Sequence, residues 1–140
     1  MEEKIINELS SKWRAPQEPR FVIRTTFRQW VRRTSVWQPP TDVSMTEDAI
    51  YVRMEIAGMK DSEFIISLDH RLLEIRGVRL PADHAGAYLQ MEVQTGEFIS
   101  LVELPVAVEQ NLVEATYEDG FLLLVLPKAK PKQVDVVDKP

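Results

Sequence analysis

Period-two alternation of apolar and polar residues is the feature that most restricts the fold of this sequence. It is clearest over residues 50–56, where every second residue is apolar until Gly58 ends the run. Successive side chains of a strand point to opposite faces, so such a run buries one face and leaves the other in water. Shorter runs of the same kind, separated by Pro, Gly and Asp, cover Asp42 to Met45, Phe64 to Leu68, Leu72 to Arg76, Tyr88 to Val93, Glu97 to Leu104, Leu112 to Tyr117 and Phe121 to Leu126. Because no helix of crossover length intervenes, we predict an all-β antiparallel sandwich that begins near Pro39.

The segment before this pattern, residues 1–36, has no strand-like alternation. Its first apolar residues recur at the spacing of an amphipathic helix: Ile5, Ile6, Leu9 and Trp13. After Pro16 and Pro19, a second helix with one basic face is predicted from Arg20, Arg24, Arg28 and Arg32 beside Ile23, Phe27, Trp30 and Val31. Neither piece is long enough to be stable alone in water. We therefore predict a flexible, partly helical N-terminal arm.

Charge divides the chain at nearly the same place. Residues 1–36 have a net charge of +4 and residues 37–140 a net charge of -9, within a total of -5. The length of 140 residues suits one domain with tails. A secretory signal would need a positive end and an apolar block, but acids occur at Glu2, Glu3 and Glu8. The expected location is the cytoplasm.

Side chains that carry chemistry are scarce. The sequence has no cysteine and only two histidines, which excludes thiol nucleophiles, disulfides and thiolate metal sites and argues against a multi-histidine metal centre. His70 falls in an expected Asp-His-Arg turn and His84 in a loop, so both are interpreted as solvated. There is no glycine-rich phosphate loop, no metalloprotease motif and no recognisable carboxylate pair. We predict a binding protein that has no catalytic residues, no cofactor and no metal site, and that is not an enzyme.

The last residues, 129–140, are rich in lysine and proline and are expected to be extended. Val134 and Val136 lie two residues apart, so in an extended chain they project to the same side while Val137 faces away. Such a peptide is suited to docking on a sheet edge. The alternative is a frayed hydrophilic tail with incidental valines.

A set of spaced residues ends the domain: Ala115, Asp119, Gly120, Leu122, Leu124, Leu126, Pro127 and Lys128. The Asp-Gly pair tolerates positive φ and predicts a hairpin turn between the strand ending at Tyr117 and the strand starting at Phe121. The set is preceded by Pro39, Asp42, Ala57-Gly58, Leu73-x-Ile75-x-Gly77, Gly96-x-Phe98 and Leu104-Pro105. In this order and spacing, the residues together resemble the small heat-shock proteins, the alpha-crystallin domain family. The resemblance implies an immunoglobulin-like β-sandwich over residues 37–128, an N-terminal arm over 1–36 for assembly and client binding, and a C-terminal extension over 129–140.

The resemblance also implies a dimer of the bacterial and plant type. The segment from Val78 to Thr95 resembles the loop that carries a strand to the partner subunit. The implied interface residues are Thr41, Asp42, Val43, Ser44 and Met45 together with Tyr88, Leu89, Gln90, Met91, Glu92 and Val93. An intrachain hairpin is the alternative for residues 88–93. Val134-x-Val136 is similar to the family's C-terminal docking motif, and it would bind another dimer between the strands at Phe64 to Leu68 and Leu112 to Tyr117 to build a higher homo-oligomer.

Four positions depart from the family pattern. Ser100 stands where an arginine is usual, and Phe121 replaces a smaller residue at a turn exit. Leu123 and Val125 make both faces of the last strand apolar, where the outer face is commonly polar. Such a face needs a cover, which could be the chain's own arm, a neighbouring subunit or a client.

The family implies an ATP-independent holdase chaperone of the stress response, which binds partly unfolded proteins before they aggregate and passes them to ATP-driven chaperones. The residues expected to bind clients are Ile5, Ile6, Leu9, Trp13, Phe21, Ile23, Phe27, Trp30, Leu123 and Val125. Two other functions stay open. The basic arm could bind a membrane surface or nucleic acid, and the sandwich could be a dedicated co-chaperone or adaptor.

Overall fold

A computed structural model of the protein describes residues 19–24, 36–60, 62–83, 85–131 and 134–139. Within these ranges, eight strands form two four-stranded sheets, which confirms the predicted β-sandwich. Sheet A has the strand order β1-β4-β5-β6, and sheet B has the order β2-β3-β8-β7. The strands are β1 (Arg20–Arg24), β2 (Thr41–Met45), β3 (Ala49–Glu55), β4 (Glu63–Asp69), β5 (Leu72–Arg79), β6 (Gly96–Glu103), β7 (Glu114–Glu118) and β8 (Phe121–Pro127). A single-turn 3-10 helix, Gln110–Leu112, precedes β7.

The core lies between the two sheets and is built by the alternation read from the sequence. On β3 the buried residues are Ile50, Val52 and Met54, which pair with Leu126, Leu124 and Leu122 of β8. Sheet A contributes Phe64, Ile66, Leu73, Ile75 and Phe98 from the opposite side. Because β3 and β8 are the two central strands of sheet B, their inner faces are covered along the whole length and hold the most buried aliphatic groups.

Two tight turns connect neighbouring strands by means of left-handed backbone. Asp119 (φ 52°) and Gly120 (φ 80°) join β7 to β8, as the Asp-Gly pair predicted. His70 (φ 53°) lies in the turn between β4 and β5, and its side chain is exposed with Nε2 3.7 Å from Asp69 Oδ1. The interpretation of His70 as a solvated turn residue is confirmed, whereas His84 is outside the described residues.

The predicted second helix of the arm is wrong where the structure describes it. Arg20–Arg24 is not helical but forms β1, which runs parallel to β4 with Phe21 opposite Phe64 and Ile23 opposite Ile66. The physical reason is burial: Phe21 is half-buried and its ring stacks on Phe64, with the centroids 5.9 Å apart. This strand belongs to the sandwich, although the predicted boundary at residue 37 assigned it to the arm.

The strand predicted over Tyr88–Val93 does not form within the chain. These residues are irregular and exposed, and they lie between β5 and β6. The intrachain hairpin alternative is therefore wrong as well. The physical reason is that a strand needs a neighbouring edge, and β5 pairs on its two sides with β4 and β6.

Candidate functional site

The outer edge of β2 is the first candidate surface for assembly. Among the described residues β2 pairs only with β3 and has no neighbour on its other side. Thr41 is half-buried, Asp42 and Ser44 are exposed, and Val43 and Met45 are 45% and 52% exposed. An open edge with apolar side chains can accept another strand. The structure thus brings the five predicted β2 residues of the interface together on one edge.

The hydrogen-bond pattern of β2 shows which amides point outward. The Glu55 N–H donates to the Pro40 carbonyl oxygen at 2.9 Å, and in an antiparallel pair such bonded positions alternate with unbonded ones. The backbone groups of Asp42 and Ser44 therefore point to β3. Those of Thr41, Val43 and Met45 point to the open edge, where they can bind a second strand.

The long loop between β5 and β6 is the second candidate surface. It extends from Leu80 to Gln94, and each of its described residues is exposed. Three apolar side chains follow one another at period two within it: Leu89, Met91 and Val93. The polar residues Gln90 and Glu92 alternate with them. The loop therefore presents a strand-like row of apolar side chains that contacts no sheet edge within the chain.

The edge of β4 is the third candidate surface, because the tail was predicted to dock between β4 and β7. Here β1 already covers the edge, and the Arg20 N–H donates to the Ser62 carbonyl oxygen at 2.9 Å. Ile23 enters the groove, and the space that remains beside it is about 10 Å³, enough for about one water molecule. This space is lined by Ile23, Ile66, Leu68, Leu73, Gln110, Val113 and Leu126. A segment of the same chain, β1, therefore occupies the edge of β4 where the tail was expected to dock.

The C-terminal tail leaves the sandwich after a short anchor. The Lys128 and Ala129 N–H groups donate to the carbonyl oxygens of Asp48 and Ala107, both at 2.9 Å. Farther along, Val134 and Val136 are 82% and 89% exposed and have no regular secondary structure. Both valines are therefore available to a partner.

The outer face of β8 is less open than the sequence indicated. Leu123 and Val125 are half-buried, because long side chains on the neighbouring strands lie beside them. Leu123 is paired with Arg53 and Thr116, and the Arg53 guanidinium lies 3.8 Å above the ring of Phe121. The outer face of β8 is apolar at Leu123 and Val125, as the sequence indicated, and Arg53 lies over Phe121 on the same face.

Ser100, where the family usually has an arginine, faces the core. It is buried, and its hydroxyl oxygen is 3.3 Å from the Thr41 hydroxyl oxygen of β2. The Thr41 hydroxyl donates to the Pro39 carbonyl oxygen at 3.0 Å, so Ser100 is the donor to Thr41. This hydroxyl pair ties β6 to the start of the open-edge strand.

One buried charged pair, Glu74 and Arg76, was not predicted from the sequence. Glu74 and Arg76 lie on the outer face of β5 and are only 3% and 8% exposed, with Arg76 Nε 3.3 Å from Glu74 Oε1. Burial raises the pKa of the Glu74 carboxyl, and the positive charge of Arg76 acts in the opposite direction. Acid and base two residues apart on a strand are the only sequence signal for this pair.

Only some of the residues predicted to bind clients lie in the part of the chain that the structure describes. Ile5, Ile6, Leu9, Trp13, Phe27 and Trp30 lie outside the described residues. Phe21 packs against the core, and Ile23 is half-exposed in the groove. Two further facts concern only the described part of the chain: it holds no group of three or more metal-ligating side chains, and no helix with the length and hydrophobicity of a membrane span.

Known proteins share both the sequence pattern and the fold. A probable 15 kDa heat shock protein of Leptospira interrogans is 30% identical over 106 residues, which cover 74% of this chain and 82% of the relative. An 18.5 kDa class I heat shock protein of Glycine max is 26% identical over 122 residues, 84% of this chain and 76% of the relative. Among solved structures, heat shock protein 16.0 of Schizosaccharomyces pombe has a TM-score of 0.59 at 23% identity and covers 73% of this chain and 99% of its own.

The family assignment rests on the sequence comparison. The model of the Hsp20/alpha crystallin family matches residues 42–138, which include β3 to β8, β2 from Asp42 onward and the exposed valines of the tail. The strands and the Asp-Gly turn agree with the resemblance inferred from the sequence. The chain belongs to the Hsp20/alpha crystallin family of small heat-shock proteins.

Proposed function

We propose that this protein is an ATP-independent holdase chaperone that binds partly unfolded proteins and limits their aggregation in the cytoplasm. Family membership supports a chaperone role. The observation that carries the proposal is the contrast between a filled core and apolar segments left outside it: Leu89, Met91 and Val93 in the loop, and Val134 and Val136 in the tail. Unfolding proteins expose apolar side chains and strand edges, and surfaces of the same kind can bind them.

The dimer is proposed to form by exchange of the loop. Tyr88–Val93 of one subunit would add to the outer edge of β2 in a second subunit, where three backbone N–H groups point outward. The apolar row of the loop would then pack beside Val43 and Met45, which are otherwise about half exposed. The exchange would pair the open edge of β2 with a strand and cover the exposed side chains of Leu89, Met91 and Val93.

Higher assembly is proposed to use the tail. Val134 and Val136 of one dimer would dock in the groove beside β4 of another, which is a heterologous contact and so builds larger particles. Since Ile23 fills this groove, docking requires β1 to leave the edge of β4. Burying two valines contributes roughly 3 to 5 kcal/mol before these costs, so the contact should be weak enough to exchange.

Client capture is proposed to depend on the arm and on net charge. The apolar residues of 1–18 would bind clients directly, in a manner that tolerates many shapes. The sandwich is strongly acidic, because residues 37–140 have a net charge of -9, and mutual repulsion would keep loaded particles soluble. ATP-driven chaperones would then receive the clients.

The test is an aggregation assay without ATP, in which a heat-unfolding enzyme is followed by light scattering. We expect the full chain to suppress scattering at equimolar subunits, and a chain that starts at Pro19 to lose most of this effect. The shorter chain begins at Pro19 because removal of β1 would expose Phe64 and confuse loss of binding with loss of folding. Scattering that is unchanged by the full chain would contradict the proposed function.

One alternative is favoured by a specific observation, the net charge of +4 in residues 1–36. A basic segment can bind anionic lipid or nucleic acid. Binding of the full chain to anionic vesicles or DNA that falls steeply with salt, and is lost on removal of residues 1–36, would favour this role over client capture.

A further inference from the structure

We propose that Arg79 is a positioning residue for assembly: its guanidinium closes the neck of the Leu80–Gln94 loop and sets the direction in which Tyr88–Val93 leaves the sandwich. This inference rests on the proposed loop exchange. It adds a specific determinant, the last residue of β5, to a segment for which the resemblance implied only a role in pairing with the partner.

The contacts of Arg79 join both ends of the loop. Arg79 ends β5 and is paired in register with Gly96, the first residue of β6. Its Nε donates to the Gln94 carbonyl oxygen at 2.8 Å, and Nη2 donates to the same oxygen. Its Nη1 donates to the Ala57 carbonyl oxygen at 3.3 Å, in the connection between β3 and β4. One side chain therefore holds the last residue of the loop against the body of the sandwich.

Trp37 provides a fixed platform beneath the guanidinium. The Arg79 guanidinium carbon lies 4.4 Å from the centre of the Trp37 ring, a cation-π contact. The indole N–H donates to the Gly96 carbonyl oxygen at 3.3 Å, and the ring packs edge-on against Phe98 at 5.7 Å. The Trp37 backbone is bonded to β6 on both sides, through Glu97 and Ile99, each at 3.1 Å. Because these contacts fix the indole relative to β6, the Arg79 guanidinium that lies on the indole is held in place relative to β6 as well.

The neck matters because it holds the base of a long, exposed loop. All described residues from Leu80 to Gln94 are exposed. A planar guanidinium can bond to Gln94 and Ala57 while it lies on an indole, and a lysine ammonium cannot reproduce this arrangement. If Arg79 no longer holds Gln94, the part of the loop that is not held to the sandwich becomes longer. Ordering the loop on a partner subunit then costs more conformational entropy.

The experiment compares Arg79→Met and Arg79→Lys with Arg71→Met in the full chain. Arg71 is a matched control, since it is an exposed arginine that donates to one carbonyl oxygen, that of Pro105 at 3.3 Å, in the turn between β4 and β5. The dimer dissociation constant is measured by sedimentation over a dilution series, and subunit exchange by fluorescence energy transfer between labelled chains.

We expect Arg79→Met to raise the dissociation constant about tenfold and to speed exchange by a similar factor, consistent with the loss of hydrogen bonds from a charged donor. Arg79→Lys should lie between Arg79→Met and the wild type, and Arg71→Met should equal the wild type. The unfolding midpoint of the diluted monomer is measured in parallel, and it should not differ between Arg79→Met and Arg71→Met, because both side chains lie at the surface.

The outcomes separate the two proposals. A wild-type dimer whose dissociation constant is unchanged by Arg79→Met would overturn the role of Arg79 and leave the loop exchange standing. A monomeric wild type at every concentration would contradict the loop exchange itself, and the role of Arg79 with it. If Arg79→Met lowers the unfolding midpoint of the monomer, and the loss of dimer affinity is no larger than this destabilisation explains, Arg79 has only a structural role. That result would also overturn the inference.

Discussion

The outer edges of β4 and β2 differ in whether another strand of the chain covers their backbone groups. The edge of β4 is covered within the chain by β1, which places Phe21 on Phe64 and Ile23 in the groove. The edge of β2 stays open in the described chain and exposes Val43 and Met45. An open edge with apolar side chains is an aggregation hazard unless it has a partner. Under the proposed assembly, the edge of β4 would be available only after β1 leaves it, whereas the edge of β2 could pair with another strand directly.

Blocking the open edge should have the largest effect. In Val43→Pro the lost N–H is one that points away from β3, so the sheet keeps its internal hydrogen bonds while a partner strand meets a proline ring. We expect the dimer dissociation constant to rise about a hundredfold, with little change in the unfolding midpoint. Sedimentation equilibrium and denaturant unfolding measure the two effects.

Ser44→Pro is the matched control for this variant. The Ser44 N–H points to β3, so its removal should lower the free energy of unfolding rather than act on assembly alone. If Val43→Pro and Ser44→Pro change the dimer dissociation constant and the free energy of unfolding to the same extent, the outward N–H groups of β2 have no separate role in assembly. The proposed difference between the edges of β2 and β4 would then be wrong.

Weakening the covered edge should act on folding instead. Phe21→Ala removes a half-buried ring from Phe64, and we expect the free energy of unfolding to fall by about 2 kcal/mol, below the cost for a fully buried phenylalanine. Chemical denaturation measures this loss. Val22→Ala is the control, since Val22 lies on the opposite face of β1, and it should cost less than half as much. An equal cost for both would show that β1 is not anchored through Phe21.

The tail should give the smallest effect. We expect Val134→Ala with Val136→Ala to shift the particles toward dimers by about 1 to 2 kcal/mol per docking contact, because each valine loses two methyl groups from a contact that must also displace β1. Light scattering measures the particle mass, and Val137→Ala, on the other side of an extended tail, is the control. A mass unchanged by the double variant would contradict tail docking. In the Phe21→Ala background, β1 is displaced more easily, so Val134 and Val136 should contribute more to the stability of the larger particles.

The sequence was informative where one physical pattern dominated. The alternation of apolar residues predicted β3 and β8, because the inner residues of these strands serve only to fill the core. The Asp119-Gly120 pair predicted the turn between β7 and β8, because few residue types accept a positive φ. Arginines at helical spacing were misleading for Arg20–Arg24. There, a short period-two pattern inside the same residues was stabilised by contact with β4, which local spacing does not reveal.

The sequence by itself determined the sandwich, the absence of thiol chemistry and the two exposed valines of the tail, because these follow from residue types and from spacing between near neighbours. Only the tertiary structure decided that β1 covers β4, that Glu74 and Arg76 are buried together, and that Arg79 reaches Gln94 and Trp37. The first and third depend on residues far apart in the chain meeting at one place, and the burial of Glu74 and Arg76 is not set by their spacing in the sequence. Such contacts are selected by the packing of whole sheets, which no local pattern encodes.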